Sequence, residues 1–159
     1  MATARSATPA DSAAIAVIYN QGIEDRVATF ETRPRSPADI EKWFDGVHPI
    51  IVVEQDGAVI AFASTSTYRP RDCYAGIAEC SVYVLRESRA RGAGSIALNA
   101  LYDAARHSGF HKLISRVFPE NAPSLKLLDR LGWRQVGLYR RHGQLDGVWK
   151  DVVIVEKLL

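Results

Sequence analysis

The stretch "ECSVYVLRESRARGAGSIALNAL", Glu79 to Leu101, decides how this chain is read. Its first part alternates small or polar residues with apolar ones, the pattern of a strand with one face in a core. From Gly92 onward it reads as a helix. Between the two, Arg86, Arg89 and Arg91 crowd in just before Gly92 and Gly94. Such a turn suits a basic patch, a hinge or a cradle for an anion. Glycines there let backbone N–H groups approach a ligand closely. The following helix offers unsatisfied N–H groups and the positive end of its dipole. Arg89 and Arg91 can add charge-assisted bonds to phosphate oxygens, while Arg86 reads as surface charge. The pattern is neither G-x-x-x-x-G-K-[ST] nor G-x-G-x-x-G, which disfavours a nucleoside triphosphate or dinucleotide.

The rest of the chain bounds the choice. Its 159 residues suit one domain, spanning 1–159, since domains cluster at roughly 100–150 residues. A net charge of +2, with both signs interspersed, argues against a general nucleic-acid binder and against a basic patch. Cys73 and Cys80 lack C-x-x-C spacing and read as a loop and a strand residue, not as a disulfide or metal pair. His107 and His111 straddle Gly109 at a helix end, so no metal site is expected. No signal-like or membrane-spanning apolar run appears, and a cytoplasmic location is expected.

Thr8-Pro9-Ala10-Asp11 starts a first helix, with Ala14, Ile15, Ile18 and Tyr19 on one face. Ser36-Pro37-Ala38-Asp39 caps a second helix through Phe44. "IIVVEQDGAVIAFASTSTYR" is two strands joined at Asp56-Gly57, a hairpin signal. A strand "KLISRVF", a helix from Asn121 to Leu131 and a closing β-pair complete the order β-α-α-β-β-β-α-β-α-β-β. Adjacent strands with interspersed helices predict an α/β domain of α+β character with a mixed sheet.

"ECSVYVLRESRARGAGSIALNAL", followed by "PENAPSLKLLDRLGW", resembles the GNAT superfamily of acyl-CoA-dependent N-acetyltransferases. "ATFETRPRS", "YRPRDCYAGIAECSVYV" and "DGVWKDV" are similar to its branch acting on phosphinothricin, arsinothricin and methionine sulfoximine or sulfone. The resemblance implies a seven-stranded, mostly antiparallel sheet with flanking helices. It implies acetyl-CoA as co-substrate, its pyrophosphate held by Arg89, Arg91, Gly92, Ala93, Gly94 and Ser95, with Asn121 and Ser124 beside the pantetheine arm. Val82, Tyr83 and Val84 would pair with the pantetheine amides, and a backbone N–H among them would meet the developing oxyanion. That role requires a strand splayed enough to free the amide.

An α-ammonium group must lose a proton before it attacks a thioester, and a positioned carboxylate can remove it. Glu79 stands where the family places this base; otherwise it is a strand-end glutamate or a partner of Arg69 or Arg71. The family's usual leaving-group tyrosine is Leu128 here, and Tyr83 and Tyr139 are the candidate substitutes. Thr29, Phe30, Arg69, Arg71 and Tyr74 are the candidate acceptor residues: guanidinium suits a carboxylate or phosphinate, and Phe30 reads as pocket wall or loop anchor. His142 reads as a turn residue or a reach into the site, and Trp149 as packing, dimer face or acceptor contact. Trp43 and Trp133 read as packing. The expected function is direct acetylation of the α-amine of a glutamate-like antibiotic amino acid by a homodimer. Methionine sulfone or another small amine is the second acceptor class, and a non-catalytic acyl-CoA sensor the contrasting reading.

Overall fold

The computed structural model describes residues 1–159. In chain order the elements are strand β1 (Thr3–Ser6), helices α1 (Ser12–Asp25) and α2 (Pro37–Glu41), and strands β2 (Ile50–Gln55), β3 (Ala58–Thr67) and β4 (Ile77–Val84). Helix α3 (Ala93–His107), strand β5 (Lys112–Val117), helix α4 (Ala122–Arg130) and strands β6 (Arg134–Leu145) and β7 (Val148–Leu158) complete the chain. The strands form one seven-stranded sheet in the order β1-β2-β3-β4-β5-β7-β6, with β4 at its centre. Only the β4–β5 pairing is parallel. The element order is the one expected from the sequence.

Local chemistry explains the boundaries. At the β2–β3 hairpin Asp56 and Gly57 both have positive φ, 53° and 78°, as a type I′ turn demands. The β6–β7 turn repeats the device at Asp146-Gly147. His142 therefore lies within β6, not in a turn. Asp11 accepts from the Thr8 N–H at 2.8 Å and Asp39 from the Ser36 N–H at 2.9 Å, so each chain entry is closed by a capping box. Helix α2 stops at Glu41, short of the expected Phe44, because the Trp43 N–H turns back tightly onto the Ile40 carbonyl at 2.9 Å.

Two apolar layers flank the sheet. Leu98, Leu101 and Ala105 of α3 pack with Val53, Ala61, Leu113 and Val155 on one face. Ile15 and Ile18 of α1, Ile40 of α2 and Phe62 of β3 fill the other. Trp133 is buried, and its Nε1 donates to the Tyr102 hydroxyl at 2.7 Å, so its one polar atom is satisfied in the core. No helix is long and apolar enough to cross a membrane.

Arg5 ties β1 to the entry of α1 and to β2, donating to both Asp11 oxygens at 2.9 and 2.8 Å and to Glu54 at 2.7 Å. The Arg5 hydrogen bonds hold the Asp11 carboxyl below its ordinary range despite burial. A depressed carboxylate stabilises the fold above its unfolded value and loses that contribution as pH falls through the folded one. Asp11→Asn, which removes the charge from the Arg5 hydrogen bonds, is therefore expected to cost about 1 kcal/mol at neutral pH. The gap to wild type should narrow below about pH 4, which thermal unfolding across a pH series measures.

Candidate active site

The β4–β5 ladder has three pairs, Ile77–Lys112, Ala78–Leu113 and Glu79–Ile114, and then stops. Both strands run on, to Val84 and Val117, but diverge. At the branch point the Ser115 hydroxyl donates to the Cys80 carbonyl at 3.0 Å, taking over from the lost backbone ladder. This is the splay that a free β4 amide requires. The strand edge from Cys80 onward has no β5 partner, and unpaired backbone groups there seek hydrogen bonds from whatever enters.

Two cavities meet at the wedge. A narrow one of about 40 Å³ lies between the strands, walled by Val82, Tyr83, Arg116, Asn121, Ser124 and Leu128 among others. A larger one of about 700 Å³ opens on the α1 side, with Tyr19, Phe30, Trp43, His48, Glu79 and Phe118 in its wall. Ala28, Cys80, Ser81, Tyr83 and Arg116 line both. Chemistry between a ligand in one and a ligand in the other has to happen at this junction.

Glu79, at the last paired position of β4, lines the wide cavity next to Cys80 and Arg116, which line both. Arg116 Nε stands 2.9 Å from Glu79 Oε1, an ion pair, yet out of line for a hydrogen bond. Oε1 is enclosed and has no hydrogen-bond partner. The carboxylate is thus paired with Arg116, not with Arg69 or Arg71. Cys80 is buried and offers no nucleophile: burial pushes its thiol up to about 12, so it stays protonated at neutral pH. Burial likewise pushes the Tyr83 hydroxyl well above its ordinary value. Tyr83 stands at the junction, whereas Tyr139 is half exposed and stacks on His142 at 4.4 Å, outside the cavity wall. Leu128 is buried at the back of the narrow cavity.

Tyr83 is positioned by packing. Its ring stacks on Phe62 at 5.4 Å and meets the edge of Tyr19 at 5.2 Å. It lies so close to α1 that a Cβ on Gly22 would sit 2.6 Å from it. Glycine at 22 is what admits the ring.

The glycine loop opens α3. Gly92 is its N-cap with φ 87°, a left-handed conformation that glycine adopts freely. Ala93, Gly94 and Ser95 form the first turn, with N–H groups unsatisfied by the helix. Arg91 is exposed. Arg89 is already engaged: it pairs with Asp25 of α1 at 2.8 Å and donates to the Val84 carbonyl at 3.2 Å. Arg86 also pairs with Asp25, at 2.9 Å, and with Glu24 at 3.3 Å. Burial raises the Asp25 carboxyl, but the bonds from Arg86 and Arg89 outweigh it and hold the group below its ordinary value. At the other lip, Asn121 caps α4 by accepting the Ser124 N–H at 3.4 Å. The loop and cap thus frame a site suited to an elongated anionic thioester.

The larger cavity takes Thr29 and Phe30 in its wall, and Phe30 also meets Phe118 edge-on at 4.7 Å, acting as wall and anchor together. Arg69, Arg71 and Tyr74 are not brought to it. They sit on the exposed β3–β4 connection, where Arg71 lies over the Tyr74 ring at 5.6 Å and Arg69 over Tyr68 at 5.3 Å. Trp149 is half exposed on β7. His142 does reach the cavity, because a register shift in β6 between Tyr139 and Gly143 re-aims the strand there. Trp43 is wall as well as packing, meeting Tyr19 at 5.3 Å.

Residues 19–133 match the Acetyltransferase (GNAT) family. The chain belongs to this family. It is 33% identical to an L-methionine sulfoximine/L-methionine sulfone acetyltransferase of Pseudomonas aeruginosa, over 98% of this chain and 93% of the relative. It is 31% identical to a phosphinothricin N-acetyltransferase of Streptomyces viridochromogenes, covering 93% and 82% of the two. The crystal structure of a GNAT superfamily phosphinothricin acetyltransferase from Sinorhizobium meliloti in complex with acetyl-CoA superposes with a TM-score of 0.91. That match is 31% identical and covers 99% of this chain and 88% of that one. The protein is therefore a GNAT acyltransferase.

Five ionisable wall residues of this GNAT enzyme were not singled out from its sequence: Glu31, Lys42, Asp45, His48 and Arg116. Arg116 had a signal, a charge in the middle of the apolar run "KLISRVF". Gly143 gives a direct test of the cavity wall, since a Cβ there would lie 2.8 Å from Phe30 Cζ. Gly143→Ala is expected to push Phe30 and change KM for the acceptor severalfold, leaving acetyl-CoA affinity intact; calorimetric titration and steady-state kinetics separate the two.

Proposed function

We propose that this enzyme acetylates the α-amine of a small anionic amino acid, taking the acetyl group directly from acetyl-CoA. The observation that carries the reading is Glu79, a carboxylate at the end of the β4–β5 pairing that lines the wide cavity beside Cys80 and Arg116, where the narrow cavity meets it. The narrow wedge, with the Gly92 loop at one lip and Asn121 at the other, suits the donor's pantetheine and phosphates. The wide cavity suits the acceptor. Acetyl-CoA supplies an acyl group on a good thiolate leaving group.

Glu79 takes a proton from the acceptor's ammonium group, and the freed amine attacks the thioester carbon. The new C–N bond forms and the C–S bond breaks. The thiolate leaves with the bonding electron pair, and the second amine proton passes to it or to water. A free N–H of the Val82–Val84 edge supports the carbonyl oxygen while it carries charge. No acyl-enzyme is involved, in keeping with the protonated, buried Cys80. Tyr83, being at the junction, is the better placed of the two tyrosines to shield or protonate the thiolate.

Phosphinothricin, arsinothricin and methionine sulfone or sulfoximine are the acceptors to test, a choice supported by the named activities of the relatives. Release of free thiol from acetyl-CoA, measured across these amino acids, glutamate and a polyamine, selects among them. Acetylation of polyamine alone overturns the amino-acid reading. Glu79→Gln is expected to lower kcat by about 10²–10⁴-fold while acetyl-CoA binds as before; unchanged turnover removes Glu79 as the base.

We also propose a homodimer built on the β6–β7 edge. β6 is a twelve-residue edge strand, and Val136, Leu138, Tyr139, Val148 and Trp149 are all about half exposed on this hairpin. Long unpaired apolar edges invite pairing with another chain. Leu138→Glu with Trp149→Glu is expected to yield a monomer in sedimentation velocity, against a wild-type dimer.

A further inference from the structure

Of the charged groups facing the wide cavity, most are already committed. Glu31 pairs with Arg35 at 2.6 Å, and Asp45 with His48 at 2.5 Å. His142 of β6 stacks on Tyr139. Lys42 is exposed at the C-cap of α2. Arg116 is the one arginine in the wall, and it is set apart from the others in three ways. It lines both cavities. Its side chain is 49% exposed, so the guanidinium is open to a ligand. Its carboxylate partner is Glu79, the group that receives the acceptor's proton, and the two are misaligned for a hydrogen bond.

An arginine beside a base is a liability unless it does something else. It competes with the acceptor's ammonium for the carboxylate, and it places positive charge where a cation must arrive. Both objections vanish if the acceptor brings its own anion. One carbon joins the amine and the carboxylate of an α-amino acid. A carboxylate seated on the planar fork of Arg116 therefore carries its amine to the neighbouring Glu79. The guanidinium presents five donors, so it can keep Nε toward Glu79 and still grip a carboxylate through its terminal nitrogens. Oε1 of Glu79 is enclosed beneath Arg116, which leaves Oε2 to meet the ammonium group.

We infer that Arg116 is the acceptor-binding residue that takes the α-carboxylate, so that Glu79 and Arg116 together read a zwitterionic α-amino acid. The inference rests on the amino-acid acetyltransferase reading above and deepens it, because it excludes simple amines and polyamines as preferred acceptors. It also moves carboxylate recognition from Arg69 and Arg71, outside the cavity, to a strand residue within it.

The test compares L-phosphinothricin and L-methionine sulfone with the α-amide of each, which keeps the amine and side chain but removes the acid. Wild type, Arg116→Leu and Arg116→Lys are assayed, with acetyl-CoA affinity measured by calorimetry as a check on the fold and donor site. Arg116→Leu is expected to lose about 10–100-fold in kcat/KM for the amino acids, the worth of a lost hydrogen-bonded charge contact. The loss should fall mainly on KM and be far smaller for the α-amides, so that the preference for acid over amide collapses. Arg116→Lys should restore part of it. Equal losses on acid and amide would mean that Arg116 acts through Glu79 alone, and would overturn the inference. So would a variant as active as wild type, or a wild type that prefers the amides. A wild type inert toward both members of each pair overturns the amino-acid reading itself, and the inference falls with it.

Discussion

Everything functional in this molecule depends on a hydrogen-bond ladder that stops early. β4 and β5 share three residue pairs and then part, in the middle of the sheet rather than at its rim. A sheet opened at its centre exposes backbone groups that would otherwise be paired. The separation is stabilised on both sides. Ser115 satisfies the Cys80 carbonyl at the fork, and α4, capped by Asn121, keeps the wedge from closing. Glu79 and Arg116 flank the opening because they are the side chains at and just beyond the last rung.

The two layers of helices divide the labour. On the α3 side a dense apolar core holds the rigid half of the sheet. On the α1 side the packing is aromatic, with Tyr19 meeting Trp43, Phe62 and Tyr83 edge-on and Phe62 stacked on Tyr83, leaving a cavity between this cluster and the long β6–β7 hairpin. Edge-to-face rings are wide, stiff spacers that fix a pocket's shape with little side-chain entropy to lose. Small residues set the tolerances. Gly22 admits Tyr83 and Gly143 admits Phe30, so two glycines decide where two wall residues sit.

The elements proposed to hold the donor were legible in the sequence as elements, because they depend on short-range chemistry. A strand pattern, a glycine turn and an Asn-x-x-Ser cap each occupy a short span of chain, and their order is enough to predict the framework. The β2–β3 hairpin was legible for the same reason. The wide cavity was legible only in part: Thr29, Phe30 and Glu79 stood out, but most of its wall comes from segments far apart in the chain that meet only through the fold. Arg69 and Arg71 look suited to an anion as text, yet the β3–β4 connection carries them away from the cavity. Arg116 looks like an interruption of a buried strand, and becomes a cavity residue because β5 has lost its neighbour at that point. Of the two readings of His142, turn residue or reach into the site, the cavity wall holds the second, and no short motif announces the bulge in β6 that puts it there.

The partnership of Arg89 with Asp25 has a consequence for the energetics of the proposed phosphate loop. A guanidinium held by a carboxylate at 2.8 Å is not a spare charge. Any anion that reaches Arg89 must share it with Asp25 or displace it, so the electrostatic gain is a difference between two ion pairs and not the full value of one. In the proposed donor site, attraction for phosphate then falls mostly to the α3 amides and to Arg91. Any shift of Arg89 away from Asp25 would also be felt at the end of α1, the helix whose Tyr19 and Gly22 shape the wide cavity.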